Sequence, residues 1–177
     1  MRPSVPCVAR SPRFAKRVAS FLAMALPAAT LPGCVDSTGP PHPLLEETDF
    51  APALGVDLDQ MTRIGGGVYV QDLTVGTGPV LEVGHRVEIA YDLFVPEGRH
   101  VLRRESTRFV RGCRQVVPGL ETGILDMRVD GTRRIVVPPR LGFGEQPPWL
   151  VDVPPYSILV YVVEALDSTP VPHCEAL

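Results

Sequence analysis

Acidic residues are absent from the first 35 positions of the 177-residue chain, and all 20 aspartates and glutamates lie at Asp36 or beyond. Five basic residues occupy this end of the chain, from Arg2 to Arg17. They precede an uncharged run, Val18 to Gly33, which is interrupted by prolines and is shorter than the roughly 20 residues that a membrane-spanning helix needs. This order is typical of a secretory signal, so we predict that residues 1–33 are a signal peptide.

Several motifs of catalysis are also missing. The chain has no Gly-rich phosphate loop, no dinucleotide-binding fingerprint and no Ser-His-Asp order, and it has no internal repeat. Its four histidines are scattered without the spacing of metal ligands. We therefore predict neither a metal site nor a cofactor.

The uncharged run ends in Leu31-Pro32-Gly33-Cys34, which resembles the lipobox of bacterial lipoproteins. The resemblance implies that Cys34 is acylated and becomes the mature N-terminus. The acyl chains would hold the protein on the extracytoplasmic side of a bacterial cell-envelope membrane, because each buried CH₂ adds about 0.8 kcal/mol to the free energy of membrane binding. Pro32 is a less usual residue in this motif. An ordinary cleaved or membrane-anchoring signal, in which Cys34 has no role, remains the alternative.

The charge balance limits the partners of such an exported chain. From Cys34 onwards, 12 basic and 20 acidic residues remain, a net charge of −8 with neutral histidines. This balance disfavours nucleic acid and anionic lipid as general partners. We interpret the pairs Arg103-Arg104 and Arg133-Arg134 as solvated charges, although the first pair could favour acidic clients. Nothing in the sequence indicates an oligomeric state.

The cysteines leave one pairing open. With Cys7 removed and Cys34 acylated, Cys113 and Cys174 are the two thiols that remain. Export permits disulfides, and a bridge here would tie the C-terminal tail to a loop. Two free thiols are equally compatible with the sequence.

Composition divides the chain after the signal. Residues 34–66 combine closely spaced prolines, an acidic cluster at 46–49 and scattered apolar residues, so we predict a flexible tether. Within it, Phe50 to Leu58 is apolar enough to dock on a domain. Three glycines end the tether at Gly67, and we predict a folded domain over residues 67–168 and a tail over 169–177.

Short apolar runs separated by Gly and Pro follow Gly67, a pattern typical of an antiparallel β-domain. The clearest alternation places Val87, Ile89, Tyr91 and Leu93 on one face, which we expect to be buried. The predicted strands are 68–75, 86–94, 99–103, 107–111, 132–137 and 157–166.

The single helical signal of this region begins at Pro118, where Leu120, Ile124 and Met127 recur at helical spacing. A helix of about two turns is too short to be stable unless it packs against a sheet. We therefore predict an α+β fold, in which a curved antiparallel sheet of five or six strands wraps around one short helix.

Four segments of this domain resemble FKBP-type peptidyl-prolyl cis-trans isomerases, in the family's order and spacing. They cover about 100 residues without a large gap and are Gln115 to Gly123, Met127 to Arg134, Ile135 to Gly144 and Val153 to Glu164. In the family these segments form the pocket floor and one wall, the turn after the helix, the opposite rim, and the flap with the final strand. The resemblance implies an FKBP-like fold and proline-containing polypeptides as partners.

The family's chemistry needs no nucleophile and no metal. Rotation about a peptide bond meets a barrier of about 18–20 kcal/mol, and X–Pro is the bond type in which both isomers are commonly populated. An apolar pocket favours the twisted amide over the more dipolar planar one, while a backbone N–H holds the preceding carbonyl. The resemblance assigns this N–H to Val117 and the pocket floor to Leu120.

Residues implied by the resemblance fall into two groups. The implied catalytic residues are Tyr91, Val117, Leu120, Phe143 and Tyr161. The implied substrate-contacting residues are Val101, Phe109, Val116, Trp149 and Val153. For Phe109, Val116 and Tyr161 a purely structural place in the core is equally expected, and Trp149 could simply cover the pocket rim.

This chain departs from the family at three places. The floor residue, often tryptophan in the family, is Leu120, which keeps the floor apolar. The family's usual Phe-Asp-Ser-Ser is replaced by Val101 to Arg104, and its Ala-Tyr-Gly by Gly142-Phe143-Gly144. A pocket phenylalanine, a carboxylate and a hydroxyl are therefore missing, and each lost hydrogen bond costs about 1 kcal/mol, or about fivefold in rate. Three hypotheses follow: an isomerase that assists the folding of exported proteins, a weak or inactive binding or chaperone module on a lipid tether, and a structural domain of an envelope complex.

Overall fold

The computed structural model describes residues 43–172 and Cys174, all within one compact unit, Gly39–Leu177. The predicted signal peptide and Cys34 lie outside the described residues. In the described part of the chain, no helix is long and apolar enough to cross a membrane. The regular elements are β1 Thr62–Ile64, β2 Val68–Thr74, β3 His85–Phe94, β4 His100–Val110, α1 Pro118–Gly123, β5 Thr132–Val137 and β6 Leu159–Pro170.

The six strands form one antiparallel sheet in the order β1-β2-β5-β6-β3-β4. With the one short α-helix of the described residues, this sheet confirms the predicted fold class. Several details differ from the prediction. The edge strand β1 was not predicted, and the helix ends at Gly123, so Ile124 and Met127 lie outside it. The short strands expected at 99–103 and 107–111 are one continuous strand, β4, because a residue with positive φ, Arg104 at 44°, bends the chain without ending its pairing with β3. The last strand continues past the predicted boundary, to Pro170.

The core lies between the sheet and the helix. Val87, Ile89 and Leu93 are fully buried, as their alternation predicts. The helix sits directly on β5 through two glycines one turn apart: a Cβ on Gly119 would lie 2.1 Å from a methyl of Val137, and one on Gly123 would lie 2.4 Å from a methyl of Ile135. Any larger side chain at these positions would lift the helix off the sheet, so glycine is required there.

A second apolar cluster covers another part of the sheet. Residues 45–60 form three short 3₁₀ turns, and Leu45, Leu54 and Met61 bury their side chains against residues of β2, β5 and β6. The stretch Phe50 to Leu58 contributes further partly buried side chains. The sequence predicts a flexible tether over 34–66, whereas residues 45–64 of this range form turns and an edge strand packed on the domain, because burial of their apolar side chains stabilises that arrangement.

An ion pair between a buried arginine and an exposed aspartate joins the end of the helix to the sheet. Arg133 is 7% exposed and donates to both carboxylate oxygens of Asp72, at 2.6 and 3.1 Å. Its guanidinium also donates to the carbonyl oxygens of Gly123 and Leu125, at 3.1 and 2.6 Å. The interpretation of Arg133 as a solvated charge is therefore wrong: its side chain satisfies carbonyls that the helix leaves without partners.

Candidate functional site

A cleft of about 510 Å³ opens between strands β3 and β4, the start of α1 and the loop before β6. Most of its lining is apolar or aromatic. The lining residues are Tyr91, Leu93, Leu102, Thr107, Arg114, Gln115, Val116, Val117, Leu120, Phe143, Pro148 and Tyr161.

The floor of the cleft is built by the first turn of α1. Pro118 occupies the first helical position and Leu120, 3% exposed, contributes the apolar surface. Val117 precedes the helix with φ −59° and ψ 139°. Its carbonyl oxygen accepts hydrogen bonds from the amides of Leu120 and Glu121, at 3.0 and 3.2 Å. Its own N–H has no acceptor among the described residues. The same is true of the N–H groups of Arg114, Val116 and Phe143, and among these four lining residues Val117 is the one that directly precedes the helix of the floor.

Two tyrosines form a wall. The rings of Tyr91 and Tyr161 meet edge to face, with centroids 5.7 Å apart. Burial raises the pKa of Tyr91, and the charge of Glu105 raises that pKa further. Burial also raises the pKa of Tyr161, which is 2% exposed. Both phenols therefore stay neutral well above neutral pH.

The remaining walls are loops that hydrogen bonds hold in place. Phe143, half-buried, stands where the family has a tyrosine, so this rim carries a ring without a hydroxyl. The amide of Tyr156 donates to the carbonyl of Gly144, at 2.7 Å. Arg99 donates to the carbonyl and the carboxylate of Asp152, at 2.6 and 2.8 Å, and thereby ties the loop before β6 to the turn between β3 and β4.

A disulfide constrains the loop that carries the unused donor. Cys113 and Cys174 are bonded, with Cα atoms 5.7 Å apart, which decides the pairing that the sequence left open. In the same loop the Gln115 side chain accepts a hydrogen bond from the Val110 amide at 2.7 Å, and the Gly112 amide donates to the carboxylate of Glu121. The segment before Val117 is thus held at several points.

Six of the ten implied pocket residues line the cleft together: Tyr91, Val116, Val117, Leu120, Phe143 and Tyr161. The other four do not line it. Phe109 and Val153 are buried in the core, at 1% and 7% exposure, and Val101 is partly buried against it. Trp149 is 90% exposed, beside the lining residue Pro148.

Leu102 takes the place in the cleft that the resemblance gives to Val101. Thr107 lines the cleft, and strict alternation of side chains along β4 would place Val101 on the same face as Thr107. The bend at Arg104 shifts this alternation by one residue, so that Leu102 lies opposite Leu93 and faces the cleft instead. Nothing in the sequence marks this bend. Arg114 and Gln115 also line the cleft without having been predicted to do so, although they directly precede Val116 and Val117 in the sequence.

Known proteins share this architecture. The structure resembles FkpA from Escherichia coli with a TM-score of 0.56 and 26% identity, over 64% of this chain and 53% of that one. It also resembles a peptidyl-prolyl cis-trans isomerase from Pseudomonas syringae pv. tomato, with a TM-score of 0.54 and 23% identity, over 62% of this chain and 81% of that one. At this identity the likeness shows that the two proteins share a fold.

A relative by sequence is the 46 kDa FK506-binding nuclear protein of Spodoptera frugiperda, 34% identical over 108 residues. The match covers 58% of this chain and 26% of that protein, so the chain spans about a quarter of that relative's length. The family model for FKBP-type peptidyl-prolyl cis-trans isomerase matches residues 78–166, half of the chain, and includes the cleft-lining residues from Tyr91 to Tyr161. The chain therefore belongs to the FKBP-type peptidyl-prolyl cis-trans isomerase family.

Proposed function

We propose that this protein catalyses cis-trans isomerisation of X–Pro bonds, with the proline ring of an exported client polypeptide bound in the cleft. The observation that carries the proposal is the unused N–H of Val117 beside the apolar surface of Leu120. A proline ring is apolar and lacks an N–H, so it fits an apolar floor without leaving a donor unpaired. The carbonyl before the proline supplies the acceptor that the Val117 amide lacks.

Catalysis then follows from the surroundings of the bond. A planar X–Pro amide is more dipolar than the twisted amide at the top of the barrier, so transfer out of water into the cleft costs the planar form more. Leu120, Tyr91 and Tyr161 provide this apolar environment. The Val117 N–H keeps the carbonyl fixed while the proline side of the bond rotates, which favours the twisted geometry without any proton transfer.

The decisive experiment is an isomerisation assay on residues 35–177, which contain the whole described unit. Protease-coupled or refolding-limited assays with several residue types before proline should give a rate above the uncatalysed one, and Tyr91→Ala should lower it while the near-ultraviolet circular dichroism of the fold persists. A chain that binds proline peptides without accelerating their isomerisation would instead be the binding or chaperone module. That second candidate is favoured by Leu102, an apolar side chain at the family's carboxylate position.

Restoring the family's polar groups should raise activity. Leu102→Asp with Phe143→Tyr gives back the carboxylate and the hydroxyl in a cleft where the Tyr91 hydroxyl has no acceptor among the described residues. Each recovered hydrogen bond is worth about 1 kcal/mol, so we expect kcat/KM to rise about fivefold if one bond forms and about 25-fold if both form. The matched control, Leu102→Asn with Phe143→Tyr, adds polarity without charge and should gain less. An unchanged rate in a folded double variant would show that these two positions do not limit catalysis.

The rate should be nearly independent of pH. No histidine of the described residues lines the cleft, and the raised pKa values keep Tyr91 and Tyr161 protonated up to and beyond their ordinary value of about 10. Between about pH 6 and pH 9 we expect kcat/KM to change by less than about twofold. A sigmoidal profile with its midpoint inside this range would mean that a titrating group takes part in the reaction.

We further propose that the protein is exported and anchored by an acylated Cys34. The relative from Spodoptera frugiperda is a nuclear protein and gives this proposal no support. The proposal rests on the segment Val18 to Cys34, and the disulfide, a bond typical of proteins in oxidising compartments, supports it. The variant Cys34→Ala should move most of the protein from the membrane fraction to the soluble fraction or leave its signal uncleaved. Unaltered fractionation and processing would contradict lipidation, and Cys7→Ala serves as the control.

A further inference from the structure

A second cleft, of about 650 Å³, adjoins the proline-binding cleft, and Arg114 and Val116 line both. Its apolar lining includes Val83 and Leu125, which are 69% and 42% exposed. The mechanism proposed above uses none of this surface beyond the shared residues. An extended polypeptide with a proline in the first cleft would have to cross Arg114 or Val116 to enter the second.

The second cleft is lined by a buried cation with unused donors. Arg111 is 7% exposed, and the carbonyl oxygen of Leu81 is the one acceptor that the described part of the chain supplies to its guanidinium. Its Nε is buried without a partner among the described residues. A guanidinium has five N–H donors and remains protonated even where burial lowers its pKa, as burial does for Arg111. Most of the donors of this buried cation therefore lack an acceptor among the described residues. Because Nε is sealed from solvent, a ligand in the cleft would have to bind the Nη groups.

The charges around the second cleft favour an anion. Arg114 is exposed and forms no ion pair with a described residue. The single carboxylate of the lining, Glu121, already accepts a hydrogen bond from the Gly112 amide. The lining holds two arginines and one glutamate, and the charges of Glu121 and Asp126 both act on Arg111. The donors of Arg111 that have no acceptor among the described residues, together with the exposed guanidinium of Arg114, would favour an acidic segment over a basic one.

We propose that the second cleft is a subsite for an acidic side chain of the client polypeptide, which Arg111 and Arg114 bind while a nearby proline occupies the first cleft. The inference rests on the proposed function, because continuity with the proline-binding cleft identifies the occupant as the same polypeptide. A carboxylate accepts two parallel N–H bonds from a guanidinium, which matches the donors that the cleft offers. The exposed apolar groups of Val83 and Leu125 would contact the flanking residues of that segment.

The test uses residues 35–177 and peptides of about ten residues with a single Leu-Pro step. One glutamate is moved through the positions around the proline, and each peptide is paired with a glutamine peptide of the same length. Trp149, the sole tryptophan, is exposed beside the first cleft and reports binding by fluorescence. At one or two positions we expect the glutamate peptide to bind about fivefold tighter than its glutamine partner, and we expect this ratio to fall when salt is raised from about 20 to about 300 mM.

The matched variants are Arg114→Gln and Arg103→Gln, which remove one exposed arginine each. Arg103 lines neither cleft. Within each variant, the affinity for the glutamate peptide is divided by the affinity for the glutamine peptide, so that general effects of the substitution cancel. This ratio should approach one in Arg114→Gln and should keep its wild-type value in Arg103→Gln. Equal binding of glutamate and glutamine peptides at every position, with proline-dependent binding intact, would overturn the subsite alone. If peptides with alanine in place of the proline bind as well as the originals, the proposed function fails and the subsite with it.

Discussion

Replacing both bridge cysteines, Cys113→Ser with Cys174→Ser, should lower the free energy of unfolding by about 4 kcal/mol. The bridge closes a loop over a sequence separation of 61 residues, and closing a loop of this size removes much of the conformational freedom of the unfolded chain. Neither cysteine is buried, so serine leaves no cavity, and the loss measures the cross-link itself. In a domain of this size, such a loss lowers Tm by about 10 °C.

Urea unfolding of four proteins would check this value: the wild type, each single Cys→Ser variant and the double variant. Each single variant should lose as much stability as the double variant, because either substitution breaks the same bond. The wild type treated with a reductant should match the double variant. If oxidised and reduced wild type unfold at the same urea concentration, then the bridge contributes nothing to stability. The same series would also test whether the loop before Val117 needs the bridge in order to bind proline peptides.

Much of the sheet could be predicted because its pattern is local. The alternation from Val87 to Leu93 specifies a strand with one buried face. Pro118 marks the start of the short helix, although the helix ends at Gly123, before Ile124 and Met127. These signals depend on neighbours within a few residues. The six cleft residues that were predicted could likewise be found from local sequence, because they lie in or beside the segments that resemble the family.

The parts that could not be predicted depend on long-range contacts or on backbone geometry. Residues 45–64 look like a tether in composition, and only the sheet surface that they cover makes them ordered. Arg133 looks like a surface charge until Asp72, 61 positions away, is placed beside it. The bend at Arg104 decides that Leu102 and not Val101 lines the cleft, and a positive φ at an arginine leaves no mark in the sequence.

The unused N–H of Val117 makes a sharper test of mechanism than any side chain. Val117→Pro removes that N–H, while φ at this position, −59°, already lies in the range that a proline ring imposes. Position 117 also has the extended ψ, 139°, that a residue before Pro118 requires. Because the N–H has no acceptor among the described residues, the fold loses no hydrogen bond, and urea stability should change by less than about 1 kcal/mol.

Activity should respond very differently from stability. Without the N–H, and with ring carbons where the client carbonyl would lie, we expect kcat/KM for X–Pro isomerisation to fall about 100-fold, as when an enzyme loses one donor that binds the reacting carbonyl. The matched control Val117→Ala keeps the N–H and trims the side chain, so it should lose less than about fivefold. Both variants alter the same side chain, and Val117→Pro differs from Val117→Ala at the backbone nitrogen, where a ring carbon replaces the N–H. If Val117→Pro remains folded and as active as Val117→Ala, the client carbonyl is not held by this amide, and the apolar cleft alone must account for the rate.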